Sequence, residues 1–320
     1  MNKNTNQTNI VPKMLISKAA EFLGVTKQAV HQKIRTKNLT CPKMGRNSYI
    51  NYTIAKPLFS IVFKPLVVAI EIVKGGTGKT TSVDNIGACA NTYGAKVLLL
   101  DGDAQANLTE AKGIDAETLP TLIDVLNKDS TIQKTIVNLC PGLDLIPSRI
   151  ENVVIDNQII FNKLPLDRFF HNLLRPIVKD YDLVLIDLPP ALGSLVTAAS
   201  LYADIIVSPL NPDKFSAKGL KILQEELKKL NTHYEKNINY KVFLNKYSGN
   251  TILSGKAYKS LTEPTMEGKV LQTAVRHSQE IPNLIDTNKN LFITLKKSLA
   301  RDDYDLLTRE LLGITPSKKI

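Results

Sequence analysis

The sequence predicts an α/β protein: a mainly parallel β-sheet with helices on both faces, preceded by a small winged helix-turn-helix domain. Three observations carry that expectation. From residue 66 onward, short apolar runs rich in β-branched residues alternate with longer amphipathic stretches. The first run, Leu66-Val67-Val68-Ala69-Ile70, leads into a glycine-rich loop and then into a stretch, Thr81 to Tyr93, able to form a helix. Basic residues crowd the N-terminus, where residues 1–56 hold ten lysines and arginines against one acid, Glu21.

Residues 1–13 are rich in Asn, Thr and Lys and are expected to form a disordered tail. Residues 14–56 read as a DNA-binding domain. Ser17 and Thr26 stand where helix N-caps belong, and Gly24 stands where the first helix must end. On the second helix Val30 and Ile34 are the apolar anchors, while Lys27, Gln28, His31 and Arg35 share another arc. Those residue types read base edges and phosphates in a major groove. The stretch from Cys41 to Ile50 can form a β-wing with Arg46 near its basic tip. The segment resembles winged helix-turn-helix modules of the MerR/excisionase type; a plain helical hairpin with ordinary surface polar residues is the alternative.

Residues 57–320 form the second domain. Residues 51–65, with Pro57 and Pro65, read as a connector. Strands are then expected at 66–70, 96–101, 143–146, 183–187, 205–208 and 240–245, with helices at 119–126, 164–178, 194–202 and 216–230 between them. Val97-Leu98-Leu99-Leu100 is apolar throughout, as suits a strand covered on both faces.

Composition narrows the class. Hydrophobic residues make up 43% and charged residues 22% of the 320, enough for a substantial core. The net charge of +11 is concentrated in the first 56 residues, and 31 basic residues nearly balance 29 acidic ones in the remainder. That asymmetry points to a nucleic-acid-binding module on a near-neutral body. The longest apolar stretch, Leu58 to Val73, is broken by Lys64, Pro65 and Glu71, so no membrane span is expected. The polar start lacks the apolar core of a secretory signal, and a cytoplasmic protein is expected. Cys41, Cys89 and Cys140 lack metal-ligand spacing and read as reduced structural residues.

The glycine loop carries the chemistry. Lys74-Gly75-Gly76-Thr77-Gly78-Lys79-Thr80-Thr81 is a compact form of the phosphate-binding loop between strand and helix. Its backbone N–H groups can turn inward on phosphate oxygens at a helix N-terminus. Lys79 is placed to reach the β- and γ-phosphates, and the Thr80 hydroxyl to ligate Mg²⁺. Two strands end in acids: Leu183-Val184-Leu185-Ile186-Asp187 supplies an aspartate for a Mg²⁺-bound water, and Leu100-Asp101-Gly102-Asp103-Ala104-Gln105 supplies two more. Such strand ends are where ligands of open α/β sheets gather.

Together the Lys-Gly-Gly-x-Gly-Lys-Thr-Thr loop, the Asp-x-Asp-x-Gln turn and Ile186-Asp187-Leu188-Pro189-Pro190 resemble the deviant Walker A ATPases of the ParA/MinD family. The resemblance extends through Asp204 to Leu210 and Phe215 to Leu220 and covers about residues 66–295. With the N-terminal module ahead of it, the chain looks most like the larger plasmid partition ATPases, which also repress their own operon. The resemblance implies a P-loop NTPase fold, ATP and Mg²⁺ as cofactors, slow hydrolysis accelerated by a small centromere-binding ParB-like partner, and a homodimer that closes on ATP. It implies that Lys74 reaches the partner copy's phosphates, that Asp103 positions the attacking water with Asp101 near Mg²⁺, and that Asn245 meets the adenine edge. Ile72, Val73 and Ala104 depart from the family's usual Asn, Gln and Pro.

The same resemblance makes Arg276 the first candidate for sequence-independent DNA contact by the dimer, with Lys246, Lys256 and Lys259 behind it and a nucleoid-associated location implied. The alternative is a MinD-like ATPase that sits on membrane through a C-terminal amphipathic helix built on Leu306, Leu307, Leu311 and Leu312, with Arg309, Lys318 and Lys319. Asp302, Asp303, Asp305 and Glu310 in that stretch suit a helix packed on the sheet instead, so membrane is not expected as a partner. A metal-cluster reductase on the same fold would need cysteines at the dimer axis, which Cys89 and Cys140 do not suit.

Overall fold

The computed structural model of the chain describes residues 10–249 and 251–316. Residues 1–9 of the expected tail, and Lys318 and Lys319, lie outside that description. Residues 10–13 depart from the expectation of disorder. Lys13 is buried: its backbone N–H donates to Phe292 O at 2.7 Å, its ammonium donates to Ile293 O at 2.8 Å, and Lys13 O accepts from the Arg301 guanidinium. Backbone carbonyls around the ammonium are what make its burial tolerable.

The first body is β1 (Met14–Leu15), α1 (Ile16–Leu23), α2 (Lys27–Thr36), β2 (Lys43–Met44) and β3 (Asn47–Ile50), its strands forming a small antiparallel sheet in the order β1-β3-β2. Gly24, at φ 66°, closes α1 in a conformation that favours glycine, and Thr26 Oγ1 caps α2 by accepting from Ala29 N at 3.2 Å. Val30 and Ile34 turn inward as expected.

The connector contains a helix. In α3 (Tyr52–Phe59) the Asn51 side chain caps the first turn, and Ile54, Ala55 and Leu58 form a buried face. Pro57 costs one backbone bond, which this face outweighs. α3 sits directly on the second body. Gly94, at φ 91°, passes so close beneath it that a Cβ would lie 2.7 Å from Lys56 Cα, and a Cβ on Gly142 would overlap the Tyr52 ring.

The second body continues with β4 (Leu66–Ile70), α4 (Lys79–Thr92), β5 (Val97–Asp101), α5 (Asn107–Ala111), α6 (Leu122–Leu126), β6 (Val137–Cys140), β7 (Leu143–Ile146), α7 (Ile155–Phe161), α8 (Leu166–Leu174), β8 (Leu183–Asp187), α9 (Ser194–Tyr202), β9 (Ile205–Leu210), α10 (Lys214–Tyr234), β10 (Tyr240–Leu244), α11 (Ile252–Leu261), α12 (Glu280–Ile285) and α13 (Leu299–Leu312). The sheet runs β10-β9-β4-β8-β5-β7-β6, parallel at every pairing except the β6–β7 edge. Alternate residues of each central strand face opposite cores. Val68, Ile70, Leu99 and Leu185 pack with α4, α13 and the N-terminal body, whereas Ala69, Leu98, Leu100 and Ile186 pack with α8, α9 and α10. Tyr304 and Leu307 of α13 are buried and Leu311 and Leu312 pack partly on the same core, while Leu306 stays exposed. Among the described residues no helix is long and apolar enough to cross a membrane.

Candidate active site

β4 delivers the chain into the loop at the C-terminal edge of the sheet. Gly76 and Gly78 have φ of 72° and 89°, conformations an L side chain rarely adopts, and Gly78 is the N-cap of α4. The loop opens into a cavity of about 870 Å³ whose lining includes Gly75, Gly76, Thr77, Gly78, Lys79, Thr80 and Thr81 together with Asp103, Asn245 and Arg276. Lys79 is the first residue of α4 and is nearly buried, its ammonium 3.4 Å from Lys74 O. Burial lowers its pKa, while Asp187, Asp103 and Glu71 act the other way. A buried ammonium at a helix N-terminus facing acids is a strong receptor for phosphate.

The parallel register of β5 and β8 sets Asp101 directly beside Asp187. Both Asp187 carboxylate oxygens are buried without a hydrogen bond of full geometry; the nearby Thr80 hydroxyl eases the charge, but burial, followed by the neighbouring Asp101, pushes the pKa up to about 8. A buried carboxylate so weakly satisfied is costly, and its donor set fits a hydrated divalent cation. Thr80, one residue along from Lys79, is half-buried and lines the same cavity. Asp101 has a different state. Its oxygens accept from Thr109 N at 2.9 Å, Thr109 Oγ1 at 2.7 Å and Asp103 N at 3.2 Å, so it braces the turn instead of offering open lone pairs to metal. Burial nevertheless raises its pKa to about 6. Asp103 faces the cavity with one oxygen accepting from Gln105 N at 3.0 Å.

Three side chains to which the resemblance gives roles make contacts within the chain. Asn245 donates its amide to Thr77 O at 2.7 Å, and a Cβ on Gly78 would sit 2.5 Å from that nitrogen, so the side chain props the loop. Lys74 donates to both oxygens of Asp213 at 2.7 Å and to Ser216 Oγ at 3.2 Å; it is held within its own chain. Asp213 is placed for this because it caps α10, accepting from Ser216 N at 2.8 Å. Arg276 points its Nε at Asp303 Oδ2 at 2.8 Å, and Asp303 also accepts from the Arg276 backbone N–H at 3.0 Å. That carboxylate neutralises the cation expected to meet DNA. Lys246 likewise rests on the loop, donating to Gly76 O at 2.8 Å beside Asn211, which donates to the same oxygen at 3.3 Å. Lys256 and Lys259 are exposed on α11.

Lys27, Gln28, Arg35 and Arg46 are exposed and His31 is half-buried, all on the N-terminal body and none of them lining the cavity. Glu71, Asn211, Asp213 and Ser216 escaped sequence reasoning. For Asp213 and Ser216 a signal existed: an Asp three residues before a Ser at a helix start is an N-cap pattern.

With this geometry described, comparison with known proteins is informative. A family model described as an AAA domain matches residues 66–240. A ParA family protein of Chlamydia muridarum is 32% identical over 252 residues, spanning 77% of this chain and 96% of the relative. The chain belongs to the ParA/MinD family of P-loop ATPases. Within that family it is also 31% identical over 169 residues to the sporulation initiation inhibitor protein Soj of Bacillus subtilis, spanning 52% of this chain and 66% of Soj. The ParA-type fold recurs in a putative plasmid partition protein of Borrelia burgdorferi bound to AMPPNP, at a TM-score of 0.66 and 22% identity, covering 78% of this chain and 99% of that one. A substituted McdA of Cyanothece in complex with ATP shares it at a TM-score of 0.71 and 20% identity, covering 79% and 98%.

Proposed function

We propose that the chain is a DNA partition ATPase: it binds ATP and Mg²⁺, closes as a homodimer, binds DNA, and hydrolyses ATP slowly until a ParB-like partner accelerates it. The observation that carries this reading is the second lysine, Lys74, at the mouth of a loop whose phosphate lysine is already Lys79. A second cation at that point has no phosphate of its own to serve, and a partner copy's nucleotide gives it one. Gly75 to Thr81 would cradle the phosphates, Thr80 and Asp187 would hold Mg²⁺ and its waters, and Asp103 would orient the attacking water. Mg²⁺, when bound, supplies charge neutralisation at the β- and γ-oxygens. In the N-terminal body, the exposed polar arc of α2 and the β2–β3 hairpin support a winged helix-turn-helix that reads an operator. Plasmid partition in the cytoplasm, on the nucleoid, is the setting this combination fits. A membrane-positioning role is less favoured because Leu307, Leu311 and Leu312 of α13 pack on the core and leave only Leu306 of the expected apolar set exposed.

The test is binding of the full chain to random-sequence DNA and to anionic liposomes, each with ATP and with ADP. ATP-dependent DNA binding that weakens steeply with salt is expected, with no ATP-dependent liposome binding. ATP-dependent recruitment to liposomes without DNA binding would overturn partition in favour of membrane positioning.

A further inference from the structure

The positive charge of the second body is concentrated in one part of it. Residues 214–269 hold 11 lysines against 5 glutamates, whereas the rest of residues 57–320 hold 20 basic residues against 24 acidic ones. Most of those lysines lie on α10 and α11. Leu223, Leu227 and Leu230 hold one side of the 21-residue α10 in the core. On the other side Lys214, Lys218, Lys221, Lys228 and Lys229 are exposed within an arc of about 100°, with Glu225 among them. Two hollows run beside this helix. One, of about 560 Å³, lies between α10 and α11 and is lined by Lys214, Lys221 and Lys256; the other, of about 590 Å³, is lined by Lys228 and Lys269. Gln224 and Thr265 line both, so the two form one trough. Its acids are Asp213, which already holds Lys74, and Glu263. Among the described residues none of Lys221, Lys228 and Lys256 is in an ion pair.

We propose that this trough is the surface by which the ATPase body holds duplex DNA, through phosphates and irrespective of sequence. The proposal rests on the partition reading and gives its sequence-independent DNA contact a place, since Arg276 is engaged by Asp303. From Lys214 to Lys228 the helix covers about 21 Å, or about six base pairs at 3.4 Å each. Lysine is a point charge on a long flexible stem, so it can follow phosphates whose positions change from one docking to the next. An anionic membrane carries the same sign of charge, but its flat surface cannot enter a recess. The phosphate ridge beside a groove of the duplex can.

The experiment measures binding of the full chain, with Mg²⁺ and a slowly hydrolysed ATP analogue, to a random-sequence duplex over a range of salt. The triple variant Lys221→Ala, Lys228→Ala, Lys256→Ala is set against Arg168→Ala, Arg175→Ala, Lys179→Ala, which removes the same charge from exposed positions in and after α8. The trough variant should bind at least tenfold more weakly at an unchanged melting temperature. Its slope of log affinity against log salt should be shallower by about 0.9 per lysine removed. The α8 variant should lose less than twofold. Equal losses in the two would mean that net charge alone draws DNA, and would overturn the trough. A trough variant that binds like the unaltered chain would overturn it too, and in both cases the partition reading stands. An unaltered chain that binds no random duplex would overturn the partition reading and the trough with it; capture by phosphatidylserine vesicles, lost in the trough variant, would then assign these lysines to lipid.

Discussion

Glu71 shows how much a single buried side chain can set. It lies directly before the loop with its carboxyl accepting from Ser200 Oγ at 2.6 Å, and burial pushes its pKa up to about 7. The folded state therefore keeps a proton that the unfolded chain releases near pH 4.5. Stability contributed by this group falls as pH rises from that value and reaches its full deficit above about pH 7, a cost of about 3 kcal/mol. Glu71→Gln, which can still accept from Ser200, is expected to be neutral near pH 4 and stabilising at pH 8, as denaturant midpoints at the two pH values would register. An equal midpoint shift at both would contradict a buried ionisation. Lys74 supplies the second prediction. Asp213→Asn keeps a competent N-cap for α10 but removes the charge that holds the lysine. Both groups are partly exposed, so the loss is roughly 1 kcal/mol and about fivefold at most. Turnover of ATP without any partner should rise by up to that factor; a fall would mean that Asp213 serves the reaction directly.

At the scale of elements, the parallel strands and the loop were legible, and the edge strand β6 and α3 were not. β4, β5, β8 and β9 are runs of consecutive apolar residues, a local signal that a two-faced sheet needs and a surface segment cannot tolerate. The place of Asp187 at the end of β8 was readable for the same reason. The helix Tyr52–Phe59 was obscured by Pro57 and Pro65, which read as breakers, although Asn51 as a cap and Ile54, Ala55 and Leu58 as a face were present. The contacts that could not be read share a different property. Asn245 to Thr77 and Lys13 to Ile293 join residues 168 and 280 positions apart, and nothing near either residue announces its partner. This bears on where the chain can be cut. A truncation starting at residue 57 splits α3 and uncovers Tyr93, whose ring packs on Phe22 and Phe59. Losing such buried aromatic packing costs about 3–5 kcal/mol, so that fragment is expected to melt several degrees below the full chain. An unchanged melting temperature would mean that the N-terminal body adds no stability to the ATPase.

Across the whole molecule, one core is continuous from Met14, Phe22 and Ile34 through Tyr93 to Leu99 and Leu185. The charge asymmetry divides the chain into a basic start and a near-neutral body, because charge is a property of composition. It could not reveal that the two halves share an interior, because Phe22, Tyr93 and Tyr304 are each ordinary apolar positions of their own segments. The Arg301 guanidinium draws the same join tighter, donating to Leu291 O at 2.7 Å and also to Lys13 O, so the segment before β1 and the rim of the nucleotide cavity are tied to one side chain.

The glycines beneath α3 carry a consequence for descent as well as for stability. A DNA-reading module hung on a pliable tether can be exchanged by recombination, since any crossover in the tether leaves two intact halves. Here the joint is a helix resting on Gly94 and Gly142, with no room for a methyl group at either point. A crossover that brings in a foreign first half must also bring a helix shaped to that floor, and a drift of either glycine to alanine closes the floor to the native one. The two halves of this gene are thus bound to change together.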